Sequence, residues 1–406
     1  MRASLSFLLL LLAVTLYAQG ELTTVSGRVV NNQNGRALAH VSVSAPGQGV
    51  STVTNDDGEF VLKTQSRPST LLFTHLGFHS QRVALDNQTN GLKIHLAPSA
   101  VLLDEVVVSS NDPMELLRAA IHKIPSNYPL VPSLMHCFYR ETAQKGSRFI
   151  AVSEAVTDMY KTSYRYGPEQ DAVQIVKGRR LMSTRSSDTL GVKVMGGPII
   201  PIMLDVVKNV DVLLNENELY FYRLTLDPPE VIAERPQFVI NIRPQYVIDR
   251  PLFYGRLFID QESLAFTRVE LQLDMSDKAH ATQYMLVRKP RGLRFNPKEL
   301  STIINYKTID GVTRISYVRN VMRFKCDWRR RLFASTYTVT TEMVVTENLQ
   351  GDAVHSIRGR DSFDRRDLFY DKVAYFDEPD FWGNYNIIEP TESLEHAIDR
   401  LKKLNK

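Results

Sequence analysis

Short runs of alternating apolar and polar residues fill residues 24–97 of the chain. Examples are VSGRVV, HVSVSA, FVLKT and TLLFTHLGF, and segments rich in Gly, Pro, Asn, Asp or Ser separate them. Strands of this length with turns between them are typical of a small antiparallel sandwich. We therefore predict a seven-stranded-type β-sandwich over residues 22–98.

Longer alternating strands dominate the chain from Phe238 onward. Val269, Leu271 and Leu273 fall on one face of such a strand, and residues 260–263 are predicted to form the turn of a hairpin. A large antiparallel sheet with one apolar face must cover that face with helices, a second sheet or a ligand. The predicted fold class is mainly β, α+β overall, with the sandwich followed by a large antiparallel sheet or half-barrel and a few packed helices.

Two helices carry clear terminal signals. Asp112 as N-cap and Pro113 at the first helical position begin one helix, and Pro125 ends it. The other is an amphipathic helix at residues 390–406, with acidic residues early and lysines late, as the helix dipole favours.

A third apolar segment, residues 196–214, reads GGPIIPIMLDVVKNVDVLL. Ile202, Val206, Val210 and Leu213 would share one face of a helix, and the glycines and proline at its start resemble a hinge. The segment is predicted to form either a lid over an apolar groove or a plain core helix.

The acidic cluster in TNDDGEFVL, residues 54–62, is either a calcium loop or a turn. An EF-hand loop needs oxygen ligands at its first, third and fifth positions before the glycine. Counting back from Gly58 puts Val53 at the first of these positions, and Val53 cannot coordinate a metal. Asp57-Gly58 between two alternating runs instead indicates a hairpin turn. We expect no metal here.

The first 20 residues have the form of a secretory signal peptide, with Arg2 before a short apolar run and small residues at Ala18 and Gly20. We therefore expect an exported protein, periplasmic or associated with the outer membrane. Beyond the sandwich, we divide the chain into a linker or strand at residues 99–111, a β-rich domain at 112–389 and the terminal helix at 390–406.

Charge and motifs argue against several functions. The 49 Lys and Arg residues are matched by 45 Asp and Glu residues, so nucleic acid is not an expected partner. The cluster at residues 329–331 is interpreted as a solvated strand end or turn rather than an anion site. Cys137 and Cys326 either pair or remain buried free thiols.

The sequence contains none of the motifs His-x-x-Glu, Gly-x-Ser-x-Gly, Cys-x-x-Cys and Gly-Lys-Ser/Thr. His136 and Cys137 are neighbours in a predicted strand, so they point to opposite faces and cannot act together. We expect no catalytic residue, no cofactor and no metal. A hydrolase acting on peptides or glycans through a dispersed site remains the alternative.

The N-terminal residues resemble the carboxypeptidase regulatory-like domain, a transthyretin-like sandwich. The match lies in Gly27-Arg28-Val29 and in residues 37–43, 47–49, 54–60 and 71–78. The resemblance implies no peptidase activity, because this sandwich also stands before outer-membrane receptor barrels. The segment that follows it resembles a part found after this domain in exported proteins of Bacteroidetes type. The strand–turn–strand pattern of residues 255–270 resembles the half-barrel of periplasmic lipoprotein carriers, which implies an apolar groove under a lid.

In receptors that share the sandwich, a segment similar to LDEVVV is the box grasped by an energy-transducing partner. The corresponding residues here are Leu103, Asp104, Glu105, Val106, Val107 and Val108. This segment is predicted to be either a strand buried between the domains or an exposed edge that recruits a partner. The sequence therefore favours a non-catalytic envelope protein that binds a protein partner or an apolar, acyl-type ligand.

Overall fold

The computed structural model describes residues 22–85, 88–99, 112–188, 190–329, 334–349, 351–365, 367–375 and 381–404. The expected signal peptide and the segment Leu103–Val108 lie outside these residues. Within them, no helix combines the length and hydrophobicity needed to cross a bilayer.

The N-terminal part is a sandwich of seven strands. The strands are β1 (Thr23–Asn31), β2 (Ser42–Ala45), β3 (Val50–Val53), β4 (Glu59–Thr64), β5 (Thr70–Thr74), β6 (Gln81–Ala84) and β7 (Leu92–Leu96). One sheet has the order β4-β1-β7, and the strands β3-β2-β5-β6 form the other layer. Their inward side chains, including Val29, Phe60 and Phe73, form a separate core. The predicted seven-stranded sandwich is confirmed.

The second part is a large, mostly antiparallel sheet. Its strands are β8 (Ser133–Lys145), β9 (Arg148–Lys161), β10 (Ala172–Met182), β12 (Tyr222–Ile232), β13 (Arg235–Pro244), β14 (Phe253–Asp260), β15 (Phe266–Leu273), β17 (Leu293–Ile309), β18 (Val312–Trp328), β19 (Ser335–Leu349) and β20 (Ala374–Tyr375). Their order is β12-β13-β14-β15-β17-β18-β19-β8-β9-β10-β20. Two short strands, β11 (Lys193–Val194) and β16 (Leu286–Arg288), pair apart from this sheet. The mainly β fold class with a half-barrel sheet is confirmed.

The helices are few and short. They are α1 (Pro113–His122), α2 (Ile124–Asn127), α3 (Ile200–Leu204), α4 (Lys278–Met285) and α5 (Glu392–Leu404). Asp112 caps α1 by accepting a hydrogen bond from the Met114 backbone N–H at 2.8 Å. In α5, the apolar stripe Leu394, Ala397, Ile398 and Leu401 is buried against β9 and β10.

The two faces of the large sheet are covered differently. The concave face holds the main apolar core, which includes α1, α4 and residues of the 192–221 segment. The opposite, convex face packs against Phe381, Trp382 and Ile388. The sandwich also joins the convex side, since Val50 pairs with Glu347 of β19 and Thr52 Oγ1 donates to the Ile387 carbonyl. The aromatic residues before α5 therefore anchor the C-terminal part of the chain to the sheet.

The Asp57-Gly58 turn is present, but it does not close a hairpin. Asn55 Oδ1 accepts hydrogen bonds from the backbone N–H groups of Asp57 and Glu59, and Gly58 has a φ of 77°. The strand before the turn, β3, lies in one layer, whereas β4 after it pairs with β1 in the other. The hairpin prediction was wrong because an Asp-Gly turn fixes the local chain reversal, while strand pairing depends on the two layers.

Residues 196–214 do not form the continuous helix predicted from their spacing. Only α3 is α-helical, a single 3-10 turn spans Val210–Val212, and Asp205 after α3 has left helical geometry with φ −67° and ψ 83°. The four consecutive residues 205–208 are all buried, at 0–3% exposure. A helix turns each side chain about 100° from the last and cannot bury four in succession on one side. The chain therefore breaks into turns here, because Asp205 and Lys208 both reach partners in the core.

Candidate ligand-binding cleft

A cleft of about 740 Å³ opens between the concave face of the sheet and residues 190–203. The floor is formed by β8, β9 and β19, through Glu141, Ala143, Ala151, Ser153 and Val339. The walls are mainly apolar and consist of Leu190, Val192, Val194, Met195, Ile199, Ile200, Met203, Leu368 and Phe369. Polar and charged residues, among them Ser183, Asp188, Lys193 and Arg365, also line the cleft. A volume of this size with a mainly apolar lining is typical of sites for small ligands.

Glu141 supplies the carboxylate at the base of the cleft. Its Oε2 accepts hydrogen bonds from the Tyr139 hydroxyl at 3.0 Å and from the Gly197 backbone N–H at 2.9 Å. Burial raises the pKa of Glu141, and these two hydrogen bonds only partly oppose that effect. The polar group that faces the apolar chamber is therefore a carboxyl group that takes up a proton more readily than an exposed one.

Two glycines let the wall approach this carboxylate. A Cβ on Gly196 would lie 2.8 Å from Glu141 Oε2. Gly197 has a φ of 87°, and a Cβ there would lie 2.6 Å from the Phe363 ring. The sequence suggested Gly196-Gly197 as a hinge. In the structure both positions need glycine, because Glu141 at one and Phe363 at the other leave no room for a Cβ.

The wall is fixed at its two ends. At one end, Lys193 pairs with Arg288 in the β11–β16 ladder, and the Met195 N–H donates to the Met285 carbonyl at 3.0 Å. At the other end, the Asp205 carboxylate lies 2.9 Å from Lys161 Nζ and accepts hydrogen bonds from the hydroxyls of Tyr164 and Tyr306. The apolar side chains of the wall that lie between these two attachments are therefore held over the sheet.

Beneath this wall lies a buried ion cluster formed by Lys161, Asp171, Asp205 and Lys208. Lys208 Nζ is 2.6 Å from Asp171 Oδ1, and Lys161 Nζ is 3.2 Å from Asp171 Oδ2. Burial disfavours the charge of Lys161, but the Asp205 and Asp171 carboxylates outweigh it and raise the pKa of that lysine. All four side chains are at most 1% exposed. None of the four residues lines the cleft, and their ion pairs join residues 205–208 to β9 and to Asp171.

The residues predicted for the lid occupy other positions. Ile202, Val206 and Leu213 belong to the main core, and Val210 is 37% exposed. The lining of the cleft instead comes from Ile199, Ile200 and Met203 on the same segment. A spacing of 3.6 residues per turn could not identify these lining residues, because only Ile200–Leu204 of the segment form an α-helix.

The reactive-looking pair His136 and Cys137 separates as expected. Cys137 lies in the concave core, and burial raises its pKa. His136 Nδ1 is 2.6 Å from Asp158 Oδ1. Both cysteines are free and buried. Among the described residues, no group of three His, Cys, Asp or Glu side chains could hold a metal ion.

Comparison with known proteins supports the interpretation of the N-terminal part. Residues 25–108 match the model of the CarboxypepD_reg-like domain. The regulatory-like sandwich is confirmed. The TonB-dependent receptor P3 of Formosa agariphila is 30% identical over 105 residues, which are 26% of this chain and 10% of the receptor. The chain thus spans about a tenth of the receptor's length.

Solved structures resemble larger parts of the chain at low similarity. A DUF1329 family protein from Desulfovibrio piger is 11% identical, with a TM-score of 0.24, over 58% of this chain and 93% of that one. A domain assigned to an outer membrane lipoprotein-sorting protein of Vibrio parahaemolyticus is 9% identical, with a TM-score of 0.25, over 60% and 94%. MucB in complex with MucA(peri) is 14% identical, with a TM-score of 0.19, over 59% and 98%. TM-scores of this size do not establish a shared fold.

Proposed function

We propose that this protein is a non-enzymatic binding protein of the cell envelope that holds an acyl chain in the cleft on the concave face of its large sheet. The observation that carries the proposal is the cleft itself, with about 740 Å³ enclosed mainly by aliphatic and methionine side chains. Methionine adapts its shape to different apolar ligands, and Met195 and Met203 both line the walls. A flexible hydrocarbon chain fits such a lining better than a rigid polar ligand does.

The polar groups of the cleft favour binding over catalysis. Glu141 is the carboxyl group at the base, and its Oε2 already accepts two hydrogen bonds from the protein. Asp188, at the edge, is paired with Arg148. Ser183 Oγ donates to Asp188 Oδ2 at 2.6 Å, but that carboxylate is also paired with Arg148. A serine nucleophile is activated by an adjacent general base such as histidine, and no histidine is among the described residues that line the cleft. An exported location follows from the signal peptide predicted at residues 1–20.

The proposal is tested with a fluorescent fatty acid and two variants at one position. Met203→Glu places a charge against the hydrocarbon, and we expect it to weaken binding by at least about tenfold. Met203→Leu keeps the volume and the apolar surface, so its affinity should match that of the wild type. Equal affinity of wild type and Met203→Glu, both with unchanged melting temperature, would overturn the proposal. Chelator-sensitive release of products from peptide or glycan libraries would favour the hydrolase alternative.

A further inference from the structure

Three chain segments meet at the end of the large sheet where the cleft opens. The turn between β8 and β9 is closed by the pairing of Lys145 with Arg148. Its Gly146 N–H donates to the Thr336 carbonyl of β19 at 2.9 Å. Beyond the end of β18, the Arg329 N–H donates to the carbonyl of Gly292 at 3.2 Å, in the turn before β17. The sheet thus gathers residues that lie more than a hundred positions apart in sequence.

Residues 286–292 and the end of β18 contribute a basic rim, which we define as Arg288, Arg291 and Arg329. All three side chains are exposed. Arg288 and Arg291 line the opening of the cleft, and Arg329 is next to them through its backbone contact with Gly292. Among the residues that the structure describes, no carboxylate pairs with any of the three guanidinium groups.

The acidic residues near the basic rim pair with, or lie opposite, other basic residues. Asp188 is paired with Arg148, and Asp367 lies 3.2 Å from Lys372. Asp327 lies opposite Arg294 in the β17–β18 ladder. The opening of the cleft therefore carries positive charge even though the whole chain has a net charge of only +4.

Exposed apolar side chains stand beside this charge. Val287 is 46% exposed, Met182 38% and Tyr370 38%, and all three line the cleft. Apolar and aromatic side chains together with arginines are the combination that inserts at the boundary between lipid head groups and hydrocarbon. A nucleic acid or an acidic protein would use the arginines, but it would leave the adjoining apolar side chains and the apolar chamber without a role.

We propose that the opening of the cleft docks on an anionic lipid surface. The basic rim contacts the lipid phosphates, and Val287, Met182 and Tyr370 enter the interfacial region. In this orientation the apolar chamber faces the bilayer, so a chain can pass between membrane and cleft without crossing water. This docking goes beyond ligand binding in the cleft and can be measured without it.

The test is flotation of the full chain with vesicles of phosphatidylcholine alone and of phosphatidylcholine mixed with phosphatidylglycerol. We expect binding only to the mixed vesicles, and weaker binding as salt is added. Each basic residue near an anionic surface changes affinity by about fivefold, so the triple variant Arg288→Gln, Arg291→Gln, Arg329→Gln should lose on the order of a hundredfold.

A matched control removes the same charge elsewhere. Arg67, Arg82 and Arg165 are exposed and lie on the sandwich and on the β9–β10 turn. Their triple change to Gln should leave vesicle binding unaltered. Equal losses in the two triple variants, or no binding to mixed vesicles, would overturn the docking proposal. Met203→Glu should still float with the vesicles, so loss of acyl binding and loss of docking are separate results.

Discussion

Each face of the large sheet buries an ion network, and the two networks hold different parts of the chain. On the concave face, Lys161, Asp171, Asp205 and Lys208 pair two positive with two negative charges at almost complete burial. They fix the turns after α3, which form one end of the cleft wall.

On the convex face, Glu154 lies between two arginines. Arg140 Nε donates to one of its oxygens at 2.7 Å, and Arg179 Nε donates to the other at 2.9 Å. Arg140 Nη2 also donates to the Ile388 carbonyl, and Arg179 lies 4.8 Å from the Trp382 ring. This network therefore attaches the C-terminal residues to the sheet.

The partners in the two networks indicate where the loss of one charged side chain should lower the free energy of unfolding most. Buried ion pairs contribute little net stability compared with apolar residues, but an isolated buried charge is very unfavourable. In the concave cluster, Lys161 depends on the Asp171 and Asp205 carboxylates, with the Tyr164 ring 5.5 Å away. In the convex network, Arg140 also donates to two backbone carbonyls. Both networks fix the position of a chain segment. We expect substitutions in the concave network to destabilise the protein more than those in the convex network.

The largest effect is expected for Asp205→Asn. This change leaves Lys161 with one carboxylate and weakens two tyrosine hydrogen bonds, so the free energy of unfolding should fall by about 3–5 kcal/mol. Urea denaturation measures this change in the free energy of unfolding. Asp211→Asn, on the exposed side of the same segment, should change stability by less than about 0.5 kcal/mol. Similar small losses in both variants would show that the cluster does not hold the segment.

A smaller effect is expected for Glu154→Gln. Burial alone would raise the pKa of Glu154, but Arg140 and Arg179 outweigh it and lower that pKa. The amide still accepts a hydrogen bond, and Arg140 keeps its backbone carbonyl partners, so we expect a loss of about 2–3 kcal/mol. Denaturant titration of this variant and of the exposed Glu395→Gln provides the comparison. A loss larger than that of Asp205→Asn would reverse the ranking of the two faces.

The smallest effect is expected at His136, whose side chain is 34% exposed. Its hydrogen bond with Asp158 raises the pKa of His136 above the ordinary value of 6.5. A raised folded-state pKa gives stability that is complete below the unfolded pKa and is lost as the pH rises through the folded pKa. Wild type should therefore lose more stability than His136→Gln as the pH rises above about 6.5, the ordinary pKa of histidine. Parallel pH profiles of the two proteins would contradict this prediction.

Local signals in the sequence were enough to predict several elements. Alternation predicted the sandwich and the long strands, because a strand that is buried on one face must repeat every two residues. The buried residues Val269, Leu271 and Leu273 follow that rule. Caps and prolines likewise marked α1, although it ends at His122, before Pro125. The alternation also separated His136 from Cys137.

Features that depend on distant partners were not predictable from the sequence. The helix expected at residues 196–214 gave way to turns because Asp205 and Lys208 find opposite charges on β9 and on Asp171 before β10. Helical spacing contains no information about those partners. Glu141 could be placed on the same face as Tyr139, but its position at the base of a cleft depends on Gly197.

The position of the basic rim was likewise not predictable from the sequence. Arg288 and Arg291 lie three residues apart, Arg329 belongs to another segment, and the chain as a whole carries nearly equal numbers of basic and acidic residues. Only the ladder between β17 and β18 brings them to one opening. Local pattern indicates which segments form strands and which of their faces is apolar, since these properties follow from neighbouring residues. Where charges and cavities meet depends on contacts between segments, and those contacts exist only in the folded chain.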